Sequence, residues 1–150
     1  MTTRIAFICS GNICRSPMAE ALASEILDDR GVPVALVSMG TLGIVGRPPS
    51  ENAIRVLAEI GVELEGHRSQ GVSPRLLEHA EYIVPMTPDH ERFLRGELGD
   101  IDDQLVRLWE WTDHPHAQDG IPDPVGDDIE TFRRCRDAIR DALEQWFDEL

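Results

Sequence analysis

Cys9-Ser10-Gly11-Asn12-Ile13-Cys14-Arg15-Ser16-Pro17 is the stretch that decides the fold. The residues before it, Arg4-Ile5-Ala6-Phe7-Ile8-Cys9, are a short apolar run that reads as a buried strand ending on a cysteine. The residues after it read as a helix start, with Ser16 as the cap and Pro17 at the first helical position. Ala19, Leu22, Ala23, Ile26 and Leu27 then recur at helical spacing, and Gly31 lies just past the end of that stripe. Strand, loop and helix in this order are the opening unit of an α/β domain.

The pattern repeats along the chain. Val34 to Ser38 reads as a second strand, and Gly40 to Pro49 as a loop rich in glycine and proline. Ser50 begins a helix with Ala53, Val56, Leu57 and Ile60 on one face, and residues 61–73 are loop-like. Pro74 to His79 reads as a helical turn or two. Tyr82 to Met86 reads as a third strand, weakened by Pro85, which cannot donate to a ladder. Pro88 to Leu94 is a short helix and Leu105 to Leu108 a candidate fourth strand. Residues 112–126 form a polar loop. A last helix starts near Asp127 and carries Phe132, Cys135, Ile139, Leu143, Trp146 and Leu150 on its apolar side. Alternating strands and helices predict a parallel sheet covered on both faces by right-handed crossovers. With 150 residues, no repeat and no linker, residues 1–150 are expected to form a single domain. Ligands of such folds bind beyond the carboxyl ends of the strands, so the loop after the first strand is where chemistry is expected.

The residue types in that loop suit an anion. A loop wrapping into a helix start can turn successive backbone N–H groups inward. Gly11 and Asn12 are the residue types that best take left-handed backbone angles. Arg15 can grip two phosphoryl oxygens with its planar fork. Cys9 would lie at the floor, where the helix dipole and Arg15 favour the reactive thiolate. Ser16 can donate to that thiolate. The ATP-type loop, G-x-x-x-x-G-K-[ST], is absent. A cradle alone binds phosphate; a cradle with a thiolate under the phosphorus can attack it.

Composition narrows the partners. The formal net charge is −14, with 41% hydrophobic and 28% charged residues. That charge opposes unspecific binding to nucleic acid or to an anionic membrane surface. The start, Met1-Thr2-Thr3-Arg4, leads into only five apolar residues, so neither a signal peptide nor a membrane span is expected. Three cysteines, Cys9, Cys14 and Cys135, do not make a disulfide framework and fit a reduced cytoplasm. No Cys and His set has zinc spacing, and Asp113-His114-Pro115-His116 reads as a solvated loop. No metal and no cofactor is expected.

The signature stretch resembles the phosphate loop of the low-molecular-weight protein-tyrosine phosphatases. Further segments match that family in chain order: Ser38-Met39-Gly40-Thr41, Gly46-Arg47-Pro48-Pro49, His67-Arg68-Ser69, Ala80 to His90, and Asp123-Pro124. Gln70 stands where the family often has arginine. The resemblance implies a three-layer α/β fold with a four-stranded parallel sheet flanked by helices. It also implies a phosphocysteine mechanism on a phosphorylated protein or peptide, in a cytoplasmic protein expected to be a monomer. Cys9 is then the nucleophile, Arg15 the phosphoryl clamp and Asp123 the general acid. Ser10, Gly11, Asn12, Ile13, Cys14, Arg15 and Ser16 form the phosphate-binding loop, braced by Asn12, Ser16, Ser38 and His67. In parts of the family a pair like Cys9 and Cys14 closes a reversible disulfide; Cys14 reads equally well as a small buried thiol.

The resemblance leaves two substrate readings. Tyrosine-specific members commonly carry an aromatic pair after Asp-Pro, where this chain has Val125-Gly126. Asp123-Pro124-Val125-Gly126 is nearer to the Asp-Pro-Phe-Gly of bacterial protein-arginine phosphatases. Those enzymes carry threonine in the loop where this chain, like the tyrosine enzymes, has Ile13. The balance falls on phosphotyrosine, with Trp109 or Trp111 as candidate walls. Arsenate reductases of this fold need further cysteines in mid-chain, and none stands between Cys14 and Cys135. A non-catalytic phosphate-binding module would be signalled by loss of Cys9, Arg15 or Asp123, and all three are present.

Overall fold

Strand β1, Thr3–Cys9, is buried from Ile5 through Cys9 and forms the middle of the sheet. In this computed structural model, residues 2–150 are described; Met1, the first residue of the start read above, lies outside them. Helix α1 spans Arg15–Asp29, strand β2 Val34–Gly40, helix α2 Glu51–Ala58 and helix α3 Pro74–Glu78. Strand β3 spans Tyr82–Pro85, helix α4 Pro88–Leu98 and helix α5 Ile129–Asp148, with short 3-10 turns at Leu108–Trp111 and Pro115–Ala117 before α5. The sheet is parallel throughout, in the order β2-β1-β3.

A strand buried on both faces alternates its side chains between two cores. Ile5, Phe7 and Cys9 of β1 join α1, α2 and α5 in the larger one. Ala6 and Ile8 face the smaller one, with Leu77 of α3 and Leu94 of α4. The result is the expected three-layer α/β arrangement.

The expected fourth strand is not formed. Among the described residues the sheet has three strands, and Leu105 makes only an isolated parallel bridge with Ile83. Ile83 N donates to the Gln104 carbonyl at 2.8 Å, and Val106 N donates to the Ile83 carbonyl at 3.0 Å. The next rung on that edge would need an N–H from the second residue on, and that residue is Pro85. The ladder stops there, and the chain coils into the Leu108–Trp111 turn. On the other edge β3 is intact, since Met86 N donates to the Ile8 carbonyl at 3.0 Å. Pro85 is therefore tolerated in β3 because its nitrogen faces the truncated edge.

Helix α1 also starts differently from the reading above. Its N-cap is Cys14, Arg15 is the first helical residue, and Ser16 and Pro17 lie inside the first turn. The Ser16 hydroxyl is drawn off the cap position by Cys9 and Asn12. The chain leaves β1 into α1 on one face and leaves β3 into α4 on the other. The crevice between those departures, at the carboxyl ends of the strands, is where ligands of open α/β sheets bind.

Candidate active site

The loop after β1 turns on Asn12, whose φ of 57° is the one left-handed value among described non-glycine residues. Gly11 does not take a positive φ, so Asn12 alone supplies the turn expected of the pair. Asn12 is completely buried, and its side-chain amide and its carbonyl are held. Its Nδ2 donates to Ser16 Oγ and to Ser38 Oγ, both at 2.9 Å. Its Oδ1 accepts from Gln70 N at 2.9 Å, and its carbonyl accepts from His67 Nε2 at 2.7 Å. The bracing residues Asn12, Ser16, Ser38 and His67 are thus brought together. Gln70 joins them from the departing position, its side-chain amide donating to the Ser38 carbonyl at 3.0 Å.

This bracing fixes protons around the sulfur. Ser16 Oγ accepts from Asn12, which leaves its own hydrogen free for Cys9 Sγ at 2.9 Å. The Ser16 hydroxyl can therefore donate to the sulfur. The first helical N–H bond runs from Met18 to the Cys14 carbonyl at 3.1 Å, so the loop amides before it lie outside the helix ladder. They are the donors an anion at a helix start would meet.

Arg15 is 4% exposed. Its Nη1 donates to the Ile121 carbonyl at 2.9 Å and its Nη2 to Ser10 Oγ at 3.2 Å. Asp123 Oδ2 lies 3.5 Å from Nη2, and the aspartate side chain is 40% exposed. Asp123 Oδ1 accepts from Val125 N at 3.1 Å, an Asx-type turn that orients the carboxylate. Arg15 Nε is the only buried side-chain N or O among the described residues without a partner. A buried charged donor with an unspent N–H is costly unless an anion meets it.

Ile13 is half-buried, and its carbonyl accepts from Ser50 N at 2.9 Å, tying the loop to the start of α2. Cys14 is buried, and burial with the Asp123 charge pushes its thiol up to about 12. It is a neutral thiol at physiological pH. Cys135 on α5 is also buried and pushed up by desolvation; its thiol approaches the Pro122 carbonyl at 3.9 Å, behind the Asp123 loop. All three cysteines are free. Trp109 and Trp111, the candidate substrate walls, pack half-buried against the larger core. Leu42, Val45 and Val125 are exposed. In the Asp113 to His116 segment, His114 Nδ1 accepts from His116 N at 3.3 Å and caps a 3-10 turn.

One residue escaped the sequence reading. His90 on α4 is 4% exposed and lies 2.9 Å from Ser10 Oγ through Nε2. The available signal was its place: a histidine in the first turn of the helix after β3, at the ligand-binding edge of the sheet.

Fold and site define an α/β protein with a cysteine-to-arginine loop between its first strand and helix and an aspartate paired to that arginine. Residues 4–150 match the family described as low molecular weight phosphotyrosine protein phosphatase, and the chain belongs to it. It is 31% identical to a protein-arginine-phosphatase of Bacillus subtilis (strain 168), over 97% of this chain and 95% of that protein. It is 30% identical to the low molecular weight protein-tyrosine-phosphatase Wzb of Escherichia coli (strain K12), over 100% and 97%. A solved structure of the YwlE arginine phosphatase, a cysteine-to-serine mutant with a phosphorylated active-site serine, superposes with a TM-score of 0.89 at 30% identity, covering 99% of this chain and 95% of that one. Among the described residues no helix is long and apolar enough to cross a membrane.

Proposed function

We propose that this protein is a phosphoprotein phosphatase that hydrolyses phosphotyrosine through a phosphocysteine on Cys9. The observation that carries the reading is Arg15, buried with its Nε–H unspent and its Nη2 beside Asp123, in a loop that begins at Cys9. In the first step the Cys9 thiolate attacks phosphorus; the S–P bond forms as the bond to the phenol oxygen breaks. Asp123 gives its proton to that oxygen. Arg15 and the amides of Ser10, Gly11, Asn12, Ile13, Cys14 and Ser16 hold the remaining phosphoryl oxygens. In the second step Asp123 takes a proton from water, the new O–P bond forms, and the S–P bond returns its electrons to Cys9. Asn12, Ser16, Ser38 and His67 hold the loop rigid through both steps. The enzyme acts as a cytoplasmic monomer on a phosphorylated protein or peptide.

A second reading, phosphoarginine, is favoured by the exposed aliphatic Leu42 and Val125 where a phenol ring would gain from aromatic walls. It is also what the Bacillus subtilis relative is named for. Ile13 favours phosphotyrosine, since the resemblance assigns threonine there to the arginine enzymes. Matched phosphotyrosine and phosphoarginine peptides decide between them. A higher kcat/KM for phosphotyrosine is expected; preference for phosphoarginine would transfer the assignment, and turnover of neither would end it.

A further inference from the structure

The first turn of α4 carries a buried imidazole that none of these steps uses. His90 joins two elements that are 80 residues apart in the chain. Its Nδ1 lies 3.1 Å from Thr87 Oγ1, the N-cap of α4, and its Nε2 lies 2.9 Å from Ser10 Oγ in the phosphate loop. Ser10 Oγ is also the oxygen that receives Arg15 Nη2 at 3.2 Å. A continuous chain therefore runs from a helix cap through an imidazole and a hydroxyl to the guanidinium.

The protons along it can be assigned. A guanidinium only donates, so Ser10 Oγ accepts from Arg15. A neutral imidazole has one N–H and one bare nitrogen. Placing the bare nitrogen at Nε2 turns the negative end of the ring toward the arginine cation, and the N–H at Nδ1 then meets Thr87 Oγ1. Thr87 Oγ1 also accepts from His90 N at 3.4 Å. With Nε2 bare, the Ser10 hydroxyl hydrogen points to His90. The Ser10 lone pairs are thereby aimed at Arg15. Burial, reinforced by Arg15 and opposed by Asp123, pushes the ring down to about 4 and keeps it neutral.

We propose that His90 is a positioning residue for the phosphate clamp: through the Ser10 hydroxyl it fixes the Nη2 edge of Arg15, while Ile121 fixes the Nη1 edge. The two tethers hold the two Nη groups of the guanidinium and leave Nε–H without a protein acceptor. The inference rests on the reading that Arg15 holds the phosphoryl group.

The test is a double-mutant cycle with two readouts, kcat/KM on an aryl phosphate and competitive inhibition by inorganic phosphate. His90→Leu removes the acceptor for Ser10; His90→Gln retains a carbonyl able to accept. His90→Leu should lower kcat/KM and weaken phosphate inhibition, each about tenfold, the worth of one hydrogen bond in a charged network. His90→Gln should stay within about threefold of the parent. Ser10→Ala should match His90→Leu, and the double variant should be no worse than either, because both break one path. Additive losses, or unchanged catalysis with only a lowered Tm, would reduce His90 to packing and overturn the proposal. Should His90→Leu not fold, Ser10→Ala alone decides: a loss of about tenfold in both readouts supports it, and full activity overturns it. Arg15→Ala separates the two readings. If it leaves phosphate inhibition intact, the clamp assignment fails; if it abolishes inhibition while Ser10→Ala does not alter it, only the His90 path fails.

Discussion

Gly40→Ala tests how tightly the loop is held. Gly40 ends β2 directly beside Cys9, its register partner. A Cβ built there would lie 2.6 Å from the Ser10 carbonyl oxygen and 3.0 Å from both Asn12 Cβ and Asn12 N. Ordinary contact begins at 3.4 Å, so the methyl overlaps loop backbone by about 0.8 Å. Neither partner gives way cheaply. The Ser10 carbonyl accepts from Leu42 N at 3.0 Å, and Asn12 is held by Ser16, Ser38, Gln70 and His67. Overpacking of this kind costs about 1–3 kcal/mol, which for a chain of this length lowers Tm by roughly 2–12 °C. The larger effect is expected on catalysis, because a displacement approaching 1 Å in the loop proposed to position the phosphoryl group should cost about 100-fold. The assay is kcat/KM on p-nitrophenyl phosphate beside a thermal melt. A variant within twofold of the parent in kcat/KM at unchanged Tm would show that the loop is not fixed by these contacts.

Asp123→Asn should cost about 100-fold or more in kcat on an unactivated aryl phosphate, and the loss should shrink as the leaving group becomes more acidic. The same change at Asp119, Asp127 or Asp128 should do little; Asp128 is the N-cap of α5, receiving Thr131 N at 3.0 Å. Ile13→Thr should shift the kcat/KM ratio from phosphotyrosine toward phosphoarginine, and an unchanged ratio would move specificity to the loops around Leu42 and Val125. For pH, His90 ordinarily titrates at 6.5 and is held down to about 4, so the unfolded chain binds its proton first. Stability should therefore fall by up to about 3 kcal/mol as pH drops from 6.5 to 4. Glu59, paired with Arg133 and Arg136 and held down to about 2, loses its contribution only below 4.5, and Glu20, raised by burial, acts in the opposite sense. His90→Gln should flatten the upper window in urea melts; an identical pH slope would remove His90 from it.

The loop Cys9 to Ser16 was legible because its geometry is local: a strand end, a left-handed turn and a helix start follow one another in sequence. What depended on distant partners was not. Ser16 has the pattern of a cap, yet its hydroxyl is claimed by Asn12 and Cys9. Leu105 to Leu108 has a strand pattern, but which edge of β3 would face Pro85 is decided only by the pairing of β1 with β3. Asp123 stood out among 28 acidic residues by resemblance alone, and the structure sets it beside Arg15. His90 and Gln70 reach the loop from 80 and 58 residues away, and the one signal for His90 was its place in the first turn of the helix after β3.

The central claim is a covalent phosphoryl group on Cys9. Rapid quenching of turnover in acid, followed by mass spectrometry of the peptide containing residues 4–15, tests it directly. The parent enzyme should show a phosphoryl adduct on Cys9 that accumulates in Asp123→Asn with an activated phenyl phosphate, where departure of the phenol no longer needs the acid but hydrolysis still needs the base. Cys9→Ser should be inactive. Turnover at the parental rate in Cys9→Ser, or an adduct on a residue other than Cys9, would contradict the account.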